Sequence, residues 1–173
     1  MVIGSVTLSA DQAATLAYLG PPAVGALFLR AISGRFATFA LATLVGTIVH
    51  ETLHLVLGAM TGARPVSMNL FPRKSPDGRM VMGSVTFENL RWYNAAPACL
   101  APLIGFPLMV WIAWLRAHED WHFQLIDLAI WGALAPQFIS SWPSSTDLRL
   151  SLISWPIYLA AGIGAWVTWF PYP

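Results

Sequence analysis

Apolar residues of this chain are grouped into five long stretches. They cover, in order, about residues 13–29, 37–59, 93–115, 123–142 and 150–170. Each stretch approaches the roughly 20 residues that a helix needs to span a hydrocarbon core of about 30 Å. The pattern predicts an all-α polytopic membrane protein with four to five transmembrane helices in one integral membrane domain, residues 1–173. The fifth helix depends on the first stretch, which Pro21 and Pro22 interrupt.

The ends and breaks of these helices have sequence signals of their own. Ser9 and Gln12 have the spacing of a capping box, which predicts that the first helix begins just after Ser9. Prolines inside a helix remove hydrogen-bond donors and produce kinks or breaks. We therefore expect a break at Pro21 and Pro22, and kinks or a broken helix in the third stretch, which contains Pro97, Pro102 and Pro107.

A different pattern separates the second and third stretches. Residues 64–92 contain the turn sequence Ser-Pro-Asp-Gly at 75–78, flanked by short runs rich in Val, Met, Phe and Thr. This predicts a small β-hairpin over about residues 64–90; a simple connecting loop is the alternative. Because an open strand edge cannot face lipid, the hairpin should lie at the membrane surface or pack into the helix bundle. There its edge could bind an extended peptide by strand addition.

Composition supports the membrane interpretation. Of the 173 residues, 57% are hydrophobic and only 10% are charged, and nine are tryptophan, a residue enriched at membrane interfaces. A soluble domain of this size would need more charge to cover its surface. The net charge is +1 without a basic patch, so we expect the lipid bilayer, and no nucleic acid, as a partner. The only cysteine, Cys99, is expected to be a small core residue.

Basic residues in the loops predict the orientation. If the end of the second stretch and the end of the fourth share a side, that side contains Arg64, Arg73, Lys74, Arg79, Arg91 and Arg149. The other side contains Arg30, Arg35 and Arg116. The richer side should be cytoplasmic. We therefore predict a multi-pass protein of a bacterial or archaeal plasma membrane.

All four histidines belong to two HExxH pentapeptides, which are His50 to His54 and His118 to His122. On a helix, two histidines four residues apart lie one turn apart on one face, where both can bind Zn²⁺. The glutamate between them then serves as general base of a metallohydrolase. Both pentapeptides satisfy this spacing, so their surroundings must distinguish them.

The residues around the first motif, "TIVHETLHLV", are uncharged, as they are in a helix packed inside a protein. The second lies in a polar interhelical segment, "LRAHEDWHFQ", where charged side chains and a tryptophan are ordinary at an interface. Burying two histidines and a glutamate in an apolar helix is costly, so such residues usually have a function. We predict that His50 and His54 bind zinc with Glu51 as the catalytic base, and that the second motif binds no metal.

Two histidines leave a zinc site incomplete, and a third protein ligand is needed. Asp147 follows the fourth stretch and emerges on the same side as His50 and His54, whereas Asp127 lies at the opposite end of that helix. Asp147 is therefore the predicted third ligand. Its alternative role is a helix cap or turn residue, since Asp before an apolar run is a common cap. Asp77 and Glu88, in the hairpin, are weaker candidates.

This combination of features resembles the site-2 protease family of intramembrane zinc metalloproteases. The resemblance covers about residues 37–150 and includes the apolar HExxH helix, the hairpin, the proline-containing helix and the later aspartate. It implies His50, His54 and Asp147 as zinc ligands and Glu51 as general base. It also implies a cytoplasm-facing active site and substrates that are themselves transmembrane segments. Leu148 stands where the family pattern has glycine, as in a short, divergent relative, and Asn94 is a candidate for the family's substrate-binding amide.

Two other functions use the same residues. A non-catalytic metal-binding or metal-transport protein of the membrane would need the histidines but would not need Glu51 as a base. An inactive protease relative would bind membrane segments without cleaving them. The intact HExxH motif favours hydrolysis, since the glutamate is the residue that hydrolysis requires.

Overall fold

The computed structural model describes residues 9–74, 80–118 and 121–169, and these residues are mostly helical. The helices are α1 (Ala10–Ala31), α2 (Phe36–Ala42), α3 (Leu44–Met60), α4 (Ala95–Cys99), α5 (Gly105–Ala117), α6 (Leu125–Leu134), α7 (Gln137–Ser140), α8 (Ser145–Ser151) and α9 (Trp155–Trp169). Two 3₁₀ turns, Ala101–Ile104 and Leu152–Ser154, connect α4 to α5 and α8 to α9. The strands are β1 (Pro65–Asn69), β2 (Arg73–Lys74), β3 (Met80–Val81) and β4 (Ser84–Phe87).

The helices follow the five apolar stretches of the sequence, but fewer of them reach membrane-spanning length than predicted. Within the described residues, Ala10–Ala31 and the segment Ser145–Trp169 are long and apolar enough to cross a membrane. The α2–α3 pair adds a third span if its break at Thr43 lies within one crossing. The apolar helices Ala101–Ala117 and Leu125–Ser140 are shorter. An α-rich protein with two to three candidate spans is therefore the architecture observed.

The predicted capping box starts α1. The Ser9 hydroxyl accepts the backbone N–H of Gln12, and the Gln12 side chain accepts the N–H of Ser9. The expected break at Pro21 and Pro22 was wrong, because α1 continues through both prolines. Proline removes donors without forbidding a helix, and the buried side chains of Tyr18 and Pro22 fix this segment by tertiary packing. In the third stretch the prolines accompany a real interruption, the 3₁₀ turn between α4 and α5.

Helix α3 ends in a glycine-dependent turn. Gly62 has a φ of +75°, a conformation that side chains with a Cβ rarely adopt. The Gly62 N–H donates to the Ala59 carbonyl and the Ala63 N–H to the Gly58 carbonyl, so carbonyls left unpaired at the helix end are satisfied. The chain then enters β1.

The predicted hairpin is confirmed as two antiparallel ladders. β1 pairs with β4, with Ser67 opposite Thr86 and Asn69 opposite Ser84, and β2 pairs with β3, with Arg73 opposite Val81. A bulge between Pro65 and Ser67 shifts the register of the first ladder. The predicted turn at 75–78 lies outside the described residues.

Contacts along the chain define two compact units. One comprises Met1–Gly46 with Ile104–Ser141, and the other comprises Thr47–Leu103 with Trp142–Pro173. In the first unit, α1 packs on α5 and α6 around an apolar core of Tyr18, Met109, Ala113, Ala117 and Leu134. In the second, the small-residue helix α4 packs on α8 and on the 3₁₀ turn Leu152–Ser154.

The first unit also contains a buried ion pair. Asp127, whose side chain is fully buried, lies 2.8 Å from Nε of Arg116 and accepts a 2.9 Å hydrogen bond from the Tyr18 hydroxyl. Its other carboxylate oxygen accepts the backbone N–H of Gln124 at the start of α6. Asp127 thus joins α1, α5 and α6, which is a structural role.

Candidate metal centre

The first HExxH motif lies entirely within α3. His50 and His54 therefore lie one turn apart, and their Nε2 atoms are 3.1 Å apart with the two rings nearly perpendicular. The side chain of His54 is 4% exposed and that of His50 is 13% exposed. The motif thus has the helical geometry that the sequence predicted, with both imidazoles directed to one point.

Asp147 meets these histidines from α8. Its Oδ1 lies 3.4 Å from His54 Nε2, and its Oδ2 lies 3.7 Å from His50 Nε2. Asp147 is also part of a capping box, because Oδ2 accepts the Ser144 N–H at 2.7 Å while the Asp147 N–H donates to the Ser144 hydroxyl. The two roles that the sequence offered for Asp147 are therefore compatible. The cap fixes the direction in which the carboxylate points.

The three side chains form a group that could hold a metal ion. Within the described residues, His50, His54 and Asp147 each offer one ligand atom, and these atoms lie within 4.8 Å of one another. A tetrahedral ion with bonds of about 2.0 Å places its ligand atoms about 3.3 Å apart. The two Nε2 atoms, 3.1 Å apart, are close to that spacing, and each has a different Asp147 oxygen nearby, Oδ1 at 3.4 Å from His54 and Oδ2 at 3.7 Å from His50. Two imidazoles and a carboxylate thus fit a divalent cation in both chemistry and geometry.

A backbone carbonyl orients the more deeply buried histidine. His54 Nδ1 lies 2.8 Å from the carbonyl oxygen of Ala98 in α4. A carbonyl can only accept, so Nδ1 must be protonated, and in the neutral ring Nε2 then keeps its lone pair. This is the arrangement found around metal-binding histidines, in which the second ring nitrogen donates to a carbonyl or carboxylate. The hydrogen bond therefore directs Nε2 toward the centre of the group.

Glu51 lies beside the ligands on α3 and is almost fully buried, with 5% of the residue exposed. It packs against the backbone of Gly83, between β3 and β4. A Cβ on Gly83 would lie 2.6 Å from Glu51 Oε1 and 2.7 Å from Cγ. Sequence analysis did not select Gly83. An isolated glycine in the strand pattern "MVMGSVTFE" was the available signal, since such a glycine often marks close backbone approach.

Phe87 attaches the other end of β4 to the same helix. Its ring lies directly against Gly58, where a Cβ would collide with it, and makes an edge contact with His54 at a centroid distance of 6.4 Å. Gly83 contacts α3 near its middle and Phe87 contacts it one to two turns later. Strand β4 therefore runs along the motif helix and covers Glu51 and His54.

Asn94, the candidate for substrate binding, is fully buried. Its Oδ1 accepts the Arg91 N–H, and its Nδ2 donates to the carbonyls of Asn89 and Thr61. These bonds connect the end of α3, the segment after the hairpin and the start of α4. The amide thus has a structural function, and its contact with substrate stays a prediction.

The described residues of the second HExxH motif, His118, Trp121 and His122, do not lie on a helix. α5 ends at Ala117 and α6 begins at Leu125, and Glu119 and Asp120 lie outside the described residues. The His118 ring stacks on Trp114, and its Nδ1 lies 3.0 Å from the Trp114 carbonyl. Among the described residues, neither this motif nor Glu88 belongs to a metal-ligand group. Asp77, the other weaker candidate, lies outside the described residues.

No family model, no curated protein and no solved structure matches this chain. The description of the site as a possible metal centre therefore depends on the geometry of α3, α4, α8 and the hairpin.

Proposed function

We propose that this protein is an intramembrane zinc metalloprotease of the site-2 protease kind, a short and divergent relative. One observation carries the proposal: His50, His54 and Asp147 converge on one point, and Glu51 stands beside them on the same helix. A site that only stored or passed a metal would have no need of this buried glutamate. In a hydrolase, that residue activates water.

Zinc is the proposed metal. Two histidines and one carboxylate are the protein ligands of several zinc hydrolases, in which a fourth position stays open. A bound zinc ion would supply Lewis acidity, which makes water nucleophilic near neutral pH and polarises a carbonyl group. The chain contributes the ligand geometry, with Ala98 and Ser144 orienting His54 and Asp147 from outside the ligand group.

Glu51 is the proposed general base. Its carboxylate takes a proton from the attacking water and later donates one to the amine that leaves the cleaved peptide bond. Close packing against Gly83 restricts the carboxylate to a small region beside the ligands. This restriction supports the assignment, because a catalytic base must be held within hydrogen-bond reach of the water.

The proposed substrates are transmembrane segments of other membrane proteins. A peptide bond inside a helix is shielded by its own backbone, so the segment must unwind before hydrolysis, and its freed N–H and C=O groups then need partners. Within the described residues, the ladder β1–β4 has two strands, so each strand has one edge without a strand partner. Docking of the unwound segment on such an edge would satisfy its backbone and deliver it to the site.

We also propose that the protein crosses the membrane four to five times, with the site toward the cytoplasm. The shorter helices would cross as broken or tilted segments together with their neighbours. The arginine-rich loops on the side of Arg64 and Arg149 support this orientation.

Metal content of the detergent-purified protein tests the proposal. We expect about one zinc per chain in the wild type and in His122→Ala, and a loss of zinc in His54→Ala and Asp147→Ala. Glu51→Gln should keep its zinc and lose cleavage of a reconstituted peptide that contains an apolar transmembrane segment. A metal that depends on His122 would exclude this site.

The same variants separate the protease from a metal-binding or metal-transport protein. In that alternative Glu51→Gln leaves function intact, since only the ligands matter. Retained peptide cleavage by Glu51→Gln would remove Glu51 from the mechanism.

A further inference from the structure

The Ala98 carbonyl that accepts from His54 lies where the hydrogen bonding of α4 is interrupted. In an α-helix the carbonyl of residue i accepts the N–H of residue i+4. For Ala98 that residue is Pro102, which has no N–H. No backbone N–H at position 102 can therefore donate to this carbonyl, which is bonded instead to His54 Nδ1, 2.8 Å away.

The Ala98 carbonyl is buried, so it depends on the hydrogen bond from His54. Ala98 is fully buried, and Pro102 is among the fully buried side chains. A buried carbonyl must find a donor, and water has little access to this one. The small residues Ala95, Ala98 and Cys99 allow α4 to pack closely in this unit.

We propose that Pro102 is a positioning residue for the metal centre. By removing the competing N–H, it reserves the Ala98 carbonyl for His54, which holds the proton on Nδ1 and leaves Nε2 for the metal. Pro102 itself touches neither metal nor substrate. The inference rests on the metal site of the proposed function and does not require that the site hydrolyse peptides.

Pro97 provides a matched control in the same helix. It is also a proline of the third apolar stretch, but the carbonyl that would accept from an N–H at position 97 is that of Tyr93, not that of Ala98. A substitution at Pro97 therefore restores a backbone N–H in α4, but it gives no new donor to the Ala98 carbonyl that is bonded to His54.

The test is the zinc affinity of Pro102→Val and Pro97→Val, measured on the full-length protein in detergent by competition with a fluorescent chelator. Valine restores the N–H and has the same number of side-chain carbon atoms as proline. We expect Pro102→Val to bind zinc about tenfold more weakly, and Pro97→Val to stay within about twofold of the wild type. Equal affinities for Pro102→Val and wild type, or equal losses in both variants, would overturn the proposal.

A measurement on the wild type covers the case in which Pro102→Val does not fold. Nitrogen-15 NMR of the histidine-labelled, zinc-loaded protein should show His54 protonated at Nδ1 and coordinated through Nε2. Coordination through Nδ1 would contradict the proposal. If zinc binding depends on Pro102 but no peptide is cleaved, this inference is supported and the proposed protease activity is wrong. If peptide is cleaved but zinc binding does not depend on Pro102, the proposed activity is supported and this inference is wrong.

Discussion

The carboxyl group of Glu51 is in close contact with the backbone of a neighbouring segment. Its carboxylate lies against Gly83, a residue that contributes no side chain and therefore lets the strand approach α3. Two of the proposed ligands are held by hydrogen bonds, from His54 to Ala98 and between Ser144 and Asp147. At the scale of single residues, the Ala98 carbonyl and the helix cap at Ser144 thus orient the site, and Gly83 leaves room for Glu51 because it has no Cβ.

Gly83→Ala should reduce peptide cleavage by about 10²-fold and leave zinc content unchanged, because the new Cβ displaces Glu51 and not the ligands. Cleavage of the reconstituted transmembrane peptide and metal content of the same preparation are the measurements. Gly132→Ala is the control, since a Cβ there meets nothing within 4 Å. Full activity in Gly83→Ala would show that this contact does not position the base.

Two kinds of element contribute differently to the protein. Helix α3 carries the proposed metal ligands His50 and His54 and the proposed base Glu51, while Gly83, just before strand β4, and Phe87, at its end, cover that face. The ion pair of Asp127 and Arg116, by contrast, joins helices α5 and α6 in the other unit. At the scale of elements, the described residues thus include a polar cluster around His50 and His54 that is suited to chemistry and one around Asp127 that connects helices.

Asp127→Asn should therefore lower the thermal unfolding temperature by several degrees and leave the zinc content unchanged. Loss of the fully buried carboxylate leaves the partly exposed Arg116 without its anionic partner, and breaking such a pair destabilises a fold. Asp11→Asn is the control, because Asp11 is an exposed aspartate in the first turn of α1. A similar shift in both variants, or a loss of zinc with Asp127→Asn, would contradict the structural role.

Each unit exposes large apolar residues, and Leu27, Phe28 and Trp111 in the first unit and Trp166 and Trp169 in the second are more than half exposed. Exposure of this kind is expected of lipid-facing surface and unusual for a soluble monomer. The orientation of such a protein is set by the basic residues of its loops.

Cysteine labelling in intact cells tests that orientation with Arg35→Cys and Arg149→Cys, both exposed positions. We expect a membrane-impermeant maleimide to label Arg35→Cys from outside and Arg149→Cys only after permeabilisation. The native Cys99 is buried, so the unsubstituted chain serves as the unlabelled control. Labelling of Arg149→Cys alone in intact cells would invert the predicted topology.

The sequence by itself determined the features that depend on local periodicity. The apolar stretches, the capping box at Ser9, the hairpin and the one-turn spacing of His50 and His54 all follow from neighbours within a few residues. It also separated the two HExxH motifs, because the polar surroundings of the second disfavour a packed helix, and α5 does end before His118.

Only the tertiary structure decided which distant segments meet. Asp147 reaches His50 and His54 because α8 packs on α3. The contact of Gly83 with Glu51 and the hydrogen bond of Ala98 with His54 depend in the same way on how the hairpin and α4 pack on α3. It likewise decided that α1 continues through Pro21 and Pro22. Packing joins residues far apart in the chain by shape and burial, and local patterns do not specify such contacts.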